Sequence, residues 1–217
     1  MKAWAYSLIK AFELCPRKYY ETRVKKRVVE PETEQILYGV ALHKALEDNT
    51  KTGAPIPEKF DFVAPVAETL RKVQGKHYAE LKMGVNRNLQ AVDFFAGDVW
   101  GRGAADLVVV NGPKALIVDY KSGSDRYPDK DQLKFMSLFV FARFPEVEIA
   151  KSSLMFVTKG SITKHKMCRS EAAAEWQKIE LRVGQMEQAH ESGNYHPTQN
   201  FTCRKHCPVK DCEFNGG

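Results

Sequence analysis

No run in this chain approaches the roughly 18 consecutive apolar residues that a membrane-spanning helix requires. The N-terminal stretch is a poor secretory leader: Tyr6, Ser7 and Lys10 interrupt its apolar part and no small-residue cleavage site follows. Both absences lead to the expectation of a cytoplasmic protein with no membrane partner. There is no internal repeat and no low-complexity tract, which argues against a solenoid or a linker-rich chain. Cysteine is scarce and odd in number, five in 217 residues, so a disulfide framework is not expected. Three of the five, Cys203, Cys207 and Cys212, fall close together near the C-terminus. In a reducing compartment such clusters are more often metal ligands or catalysts than disulfides. Acidic charge is also in deficit. The net charge of +6 and pI near 9.0 suit a polyanionic partner.

What is present suffices for a folded core. Hydrophobic residues make up 43% and aromatics 11%, well away from disordered compositions. The length fits one domain spanning 1–217, with a helical part over 1–75, a core over 76–169, and a helix with a cysteine tail over 170–217. Helices are expected after an N-cap at Ser7, from Pro16 to Tyr20, over 34–49 and over 61–74. Strands are expected over 76–85, 91–95, 99–106, 107–110 and 115–121. A long, mostly apolar helix reaches Phe144, a further strand covers 149–157, and Ser170 caps a last helix. This order predicts an α/β fold with a mixed central sheet flanked by helices.

Residues 106 to 121 are the most informative. Two β-branched runs flank Asn111-Gly112, the signal of a hairpin. The first run begins with Asp106. The second ends in Asp119-Tyr120-Lys121, and alternation puts Asp119 and Lys121 on one face. An acid at the tip of an apolar run must be hydrated, paired or given a metal. Two carboxylates beside a lysine suit a hard divalent cation and a phosphate. Separately, Cys203-x3-Cys207-x4-Cys212 sits in a polar, irregular segment and reads as a compact ligand loop needing a fourth ligand. Cys168 has no cysteine nearby and reads as structural.

Together these motifs resemble the PD-(D/E)XK nucleases, in particular their RecB-like exonuclease branch. Gly101-Arg-Gly-Ala-Ala-Asp106 is similar to the family's glycine-led strand entry to its first acid, and Val118-Asp-Tyr-Lys-Ser-Gly123 to its D-Y-K-[ST]-G signature. Gln132 matches the family's glutamine after the core, although the tyrosine that often follows one turn later is absent. Tyr38-Gly-Val-Ala-Leu-His43 is similar to its G-x-x-x-H helix. Cys15-Pro-Arg with the three late cysteines is similar to the iron–sulfur appendage of CRISPR-associated RecB-like nucleases. The likeness runs from about residue 6 to about residue 214.

The resemblance implies a restriction-endonuclease-like core. It implies Mg2+ or Mn2+ held by Asp106, Asp119, His43 and the Tyr120 carbonyl, with Glu80 as a further ligand from an upstream strand. Lys121 and Gln132 would act with the acids in catalysis. It also implies a 4Fe–4S cluster on Cys15, Cys203, Cys207 and Cys212. The late spacing of three then four differs from the family's two then five, which leaves Zn2+ open, with His196 or His206 replacing Cys15. The function expected from the resemblance is a DNA exonuclease acting in recombination, repair, or phage or CRISPR DNA processing, with a separate helicase as a possible partner. An endonuclease or nickase of the same fold, or a non-catalytic nucleic-acid-binding protein with a metal-clasped knuckle, are the alternatives.

Overall fold

The computed structural model describes residues 3–29 and 32–215. In chain order the elements are β1 (Trp4–Ala5), α1 (Tyr6–Leu14), α2 (Pro16–Tyr19), a π-helical turn (Tyr20–Val24), α3 (Glu34–Thr52), a 3-10 turn (Glu58–Val63) and α4 (Ala64–Arg71). There follow β2 (Lys76–Val85), β3 (Ala91–Val92), β4 (Gly101–Asn111), β5 (Lys114–Lys121), α5 (Lys130–Arg143), β6 (Ile149–Phe156), β7 (Ser161–Cys168), a 3-10 turn (Arg169–Glu171) and α6 (Ala172–Ser192). The chain forms two compact units: Met1–Glu32 with Gln177–Gly217, and Thr33–Trp176. No helix among the described residues is long and apolar enough to cross a membrane.

The larger unit is built on a mixed sheet in the order β3-β2-β4-β5-β6-β7. Every neighbouring pair is antiparallel except β5 and β6, which are parallel because α5 carries the chain across between them. The hairpin turn centres one residue later than Asn-Gly: Asn111 pairs with Lys114, and the loop is Gly112-Pro113, with Gly112 at φ +54°. That sign of φ is open to glycine at little cost. Helix α3 begins where the Thr33 hydroxyl accepts the Ile36 N–H, and ends at Gly53 in the left-handed conformation. Helix α5 buries Leu133 and the whole run Phe135–Phe141, as its composition predicts. Burial of each such large side chain contributes about 1.5–3 kcal/mol. Buried Ser137 satisfies its hydroxyl on the Leu133 carbonyl at 2.8 Å.

Strand β4 changes face partway along. Leu107 and Val109 pack with Leu42 and Leu46 of α3 and with Ala67 and Leu70 of α4. Gly103 lies instead under α5, where an added Cβ would come within 3.0 Å of the Phe139 ring. Residues four apart on a regular strand share a face, so the strand switches sides between Gly103 and Leu107. The pairing with β2 breaks at the same level. Ala79 pairs with Leu107 and Leu81 with Ala105, while Glu80 and Asp106, opposite each other, stay out of the ladder. Glu80 sits at φ +50°, which costs a non-glycine residue on the order of 1 kcal/mol or more.

Several local expectations are corrected. Ser7 lies inside α1, whose N-cap is Ala5 with no side-chain cap. The expected 61–74 helix is a 3-10 turn followed by α4, with Pro65 in the first turn of α4. The expected 91–95 strand stops at Val92. Residues 99–106 and 107–110 are one strand, β4. Cys168, not Ser170, provides the cap before α6: its backbone N–H donates to the Glu171 carboxylate at 2.6 Å. Strand β7 is an addition beyond the expected 149–157 strand. As far as Lys166 its residues alternate between exposed and half-buried on a polar sequence, so hydrophobic period carries little signal there.

In the smaller unit, α1 packs its Phe12 edge-on against Tyr19 at 5.6 Å, and Arg182 of α6 forks onto Glu13. After Ser192 the chain has no helix or strand as far as Asn215. It is fastened by side chains: Tyr195 stacks on Tyr20 at 4.2 Å, Asn200 donates to the Leu14 carbonyl at 3.1 Å, and Arg17 pairs with Asp211 at 3.2 Å.

Candidate active site

The residues singled out in the larger unit meet at the break in β4. Beyond the Leu107–Val118 pair the ladder between β4 and β5 stops, so Asp106 and Asp119 face each other where the strands part. With Glu80 across the gap on the other side, three carboxylates lie in a row over β2, β4 and β5. Asp106 Oδ2 accepts the Tyr120 backbone N–H at 2.6 Å, and Asp106 Oδ1 lies 3.1 Å from His43 Nδ1. Asp119 Oδ1 accepts from Gln132 Nε2 at 2.9 Å, and Asp119 Oδ2 sits 2.6 Å from Lys121 Nζ. The structure thus brings together His43, Glu80, Asp106, Asp119, Lys121 and Gln132, from α3, three strands and α5.

Each position has a local cause. Gly39 stands one turn before His43, and a Cβ on it would press to 3.0 Å from the Ser122 hydroxyl oxygen. Lacking that Cβ, α3 comes close to the end of β5, and His43 reaches Asp106 from that side. Gln132 lies at the start of α5, so it reaches Asp119 from the other helix layer. One turn later, where no tyrosine stands, Phe135 and Met136 are buried core residues. An open cleft of about 550 Å³ leads to His43 and Glu80, between Ile36, Val40 and Glu47 of α3 and Ser122.

The electrostatics are those of crowded acids. Burial raises the Asp119 carboxyl above the usual range against the pull of Lys121, with Asp106 adding to the rise. Glu80 is also raised, first by burial and then by Asp106 and Glu47. His43 is raised by its hydrogen bond to Asp106, against desolvation. Burial lifts the Tyr120 phenol strongly, so it stays neutral on the α3 side. Like charges held this close favour protons or a cation. The ligand atoms of His43, Glu80 and Asp106 lie within 4.8 Å of one another, the sole grouping of three so close among the described residues. Two hard carboxylates and an imidazole form a donor set that fits a divalent ion of the Mn2+ or Mg2+ type.

The profile of the PD-(D/E)XK nuclease superfamily matches residues 3–212. The chain belongs to this superfamily. Its fold is the mixed α/β arrangement of PD-(D/E)XK proteins, and its class is that of metal-dependent nucleases acting on nucleic acid. Among solved structures, a protein from Eubacterium rectale named "Putative exonuclease" is similar over 99% of this chain and 87% of its own, at 13% identity and a TM-score of 0.51. SSO0001 is similar over 99% of this chain and 88% of its own, at 15% identity and a TM-score of 0.44. No curated protein sequence gives a significant match.

The PD-(D/E)XK assignment makes some contacts intelligible that residue patterns did not disclose. Ser122 matters as the neighbour that demands a glycine at position 39, and the Tyr120 N–H matters as the group that orients Asp106. Sequence reasoning could rank Glu80 only as one glutamate among many, since its unpaired place opposite Asp106 follows from strand register. Two cations of the N-terminal segment are engaged with carboxylates: Arg17 with Asp211 and Arg27 with Glu21.

In the smaller unit Cys15, Cys203, Cys207 and Cys212 line one cavity together with Thr198, Asn200 and Asn215. The Cys15 sulfur accepts N–H bonds from Lys18 and Thr198, both at 3.4 Å, and the Cys203 sulfur accepts one from Asn200 at 3.3 Å. Neither His196 nor His206 is part of that lining.

Proposed function

We propose that this protein is a metal-dependent DNA exonuclease of the RecB-like type. The observation that carries the reading is the row of Glu80, Asp106 and Asp119 across three strands, with His43 and Lys121 at its rim. His43, Glu80 and Asp106 would hold the ion, with Asp119 and the Tyr120 carbonyl completing its surroundings. When bound, a divalent cation supplies Lewis-acid polarisation of the phosphodiester and eases deprotonation of water. Lys121, already beside Asp119, neutralises charge developing on the phosphate. Gln132 fixes the Asp119 carboxylate so that its other oxygen faces Lys121. The setting is DNA recombination, repair, or phage or CRISPR DNA processing in the cytoplasm, with a separate helicase preparing ends. Digestion with Mn2+ or Mg2+ tests this: linear DNA should be degraded while closed circular duplex persists. Rapid linearisation of the circle would replace the exonuclease by an endonuclease or nickase, and binding with no cleavage of any substrate would favour the non-catalytic alternative.

For the cysteines we propose a 4Fe–4S cluster rather than Zn2+. Four sulfurs around one cavity, two of them already accepting N–H bonds, support a shared inorganic ligand. Cys15 lines this cavity with the three late cysteines while His196 and His206 do not, which is the ligand set of the iron–sulfur appendage in RecB-like nucleases. Iron and sulfide analysis of freshly purified protein, read beside zinc analysis, decides between them.

A further inference from the structure

A second feature of the larger unit lies outside the acid site. The turn after β3 presents Phe94 and Phe95, whose rings meet edge-on at 5.0 Å. Asp93 shapes the turn: its Oδ1 accepts the Phe95 N–H at 2.8 Å and its carbonyl accepts the Ala96 N–H at 3.1 Å. Gly84 of β2 lets the turn lie close, since a Cβ there would come to 2.8 Å from the Asp93 carbonyl oxygen. Over these two rings sit two cations. Lys82 Nζ is 5.8 and 6.0 Å from the ring centroids, and the Arg102 guanidinium carbon is 5.2 and 5.7 Å away. Phe95 is 72% exposed.

Cations over rings recur in this molecule, as at Lys76 over Tyr78 and Arg143 over Phe144, but here two cations share one pair of rings. Lys51, Lys72, Arg27 and Arg182 each meet a carboxylate. Lys82 and Arg102 meet none among the described residues, and the buried Arg102 Nε has no hydrogen-bond partner. Their positive charge is held by aromatic faces, which leaves it available to an anion. The place is also informative. Lys82 is two residues along β2 from Glu80, and Arg102 is four along β4 from Asp106, in register with Gly84. At roughly 3.3 Å per residue the patch begins about 7 Å from the acids and extends to about 13 Å. The distance from the acids to the far end of the patch holds about four stacked nucleotides at roughly 3.4 Å per step, and fewer if the strand is drawn out.

We propose that Phe95, Lys82 and Arg102 form a binding site for an unpaired stretch of nucleic acid beside the acid row. A base stacks on the exposed Phe95 ring, and flanking phosphates meet Lys82 and Arg102. A duplex keeps its base faces covered, so the site selects single strands. An apolar protein partner is disfavoured because it would have to desolvate the two cations beside the exposed ring, whereas a phosphate meets them. The proposal deepens the nuclease reading by naming the strand form that is bound, but binding is measured separately from cleavage.

Anisotropy of a labelled single-stranded oligonucleotide and of a blunt duplex, in chelator so that nothing is cut, provides the test. Phe95→Ala should raise the single-strand Kd roughly tenfold and change the duplex Kd little, with Phe95→Trp restoring binding. Lys82→Ala should lower the slope of log Kd against log salt by about one, while Phe95→Ala leaves that slope intact. Unchanged single-strand affinity in Phe95→Ala, or equal weakening toward both substrates, overturns the proposal. So does a change confined to self-association in light scattering, which would make the patch a protein interface. If the wild type cleaves nothing with Mn2+ and Phe95→Ala still loses single-strand affinity, the nuclease reading fails and the site stands. If it cleaves and Phe95→Ala binds normally, the reverse holds.

Discussion

The acid row and the cysteine cavity are built in opposite ways. The acids sit on β2, β4 and β5, braced by ladder pairs and by buried residues of α3 and α5. The cysteines Cys203, Cys207 and Cys212 sit in a stretch with no strand or long helix, fastened by a few side-chain bonds. The first region has its shape before any ion arrives. The second has little apolar burial of its own, with Cys203 and Val209 as its buried members, so a bound group would supply much of its stability. Loss of metal should therefore silence one region and unfold the other.

The largest effect that sharpens this contrast is on catalysis. Asp119→Asn should lower metal-dependent cleavage by several orders of magnitude, since it removes a charge beside the ion and beside Lys121. Its melting temperature should hold or rise, because a buried carboxylate raised by desolvation is replaced by a neutral group. Cleavage within tenfold of wild type would remove Asp119 from the site. Cys207→Ser should do the reverse. It should abolish the iron content proposed for the cysteines and lower the melting temperature by several degrees or more, while an ion-binding measurement at the acid row changes little. Cys15→Ser is the sharper variant. If it keeps full metal content, the site is local to the tail and the two ends of the smaller unit are not joined by it.

The smallest expected effect is a pH dependence, and its sign follows from three groups. His43, Glu80 and Asp119 all have pKa values raised in the fold. A raised pKa means that the folded state binds protons more readily, so stability is present below the unfolded value and is lost as pH rises through the folded one. For His43 that loss begins above about 6.5, and for the two acids above about 4. In a His190→Gln background, which removes an opposing histidine whose pKa burial lowers, metal-free protein should melt at progressively lower temperature as pH is raised from mildly acidic to mildly basic. Added Mn2+ should stabilise more at the basic end, where it meets no competing protons. A metal-free melting temperature that climbs with pH would contradict the arrangement of charges.

The contrast also governs how much could be read from residues alone. The hairpin, the buried helix α5 and the pair Asp119 and Lys121 follow from alternation and turn chemistry, which are local. The gathering of Glu80 opposite Asp106 depends on strand register, which no local pattern states. Strand β7 was hidden because Thr163-Lys-His-Lys166 looks like a solvated loop. The Phe95 turn was hidden because two phenylalanines after Ala91-Val92 look like the continuation of a strand. The Asp93 side-chain turn and Gly97 were the contrary signals. The four cysteines could be grouped because ligand chemistry, unlike packing, is visible as residue type.

The change of face in β4 has a consequence for how this protein can vary. On one side of Asp106 the strand serves α5, and on the other it serves α3 and α4. The chain there works like a stitch passed through cloth, and its length is counted in single residues. Substitutions between Gly103 and Leu107 change one contact at a time. Insertion or deletion of one residue in that stretch would turn every following side chain to the wrong layer, and the acids with them. Length variation should accordingly be confined to the loops, such as the one at Asn86–Gln90, while the count from Gly101 to Lys121 stays fixed.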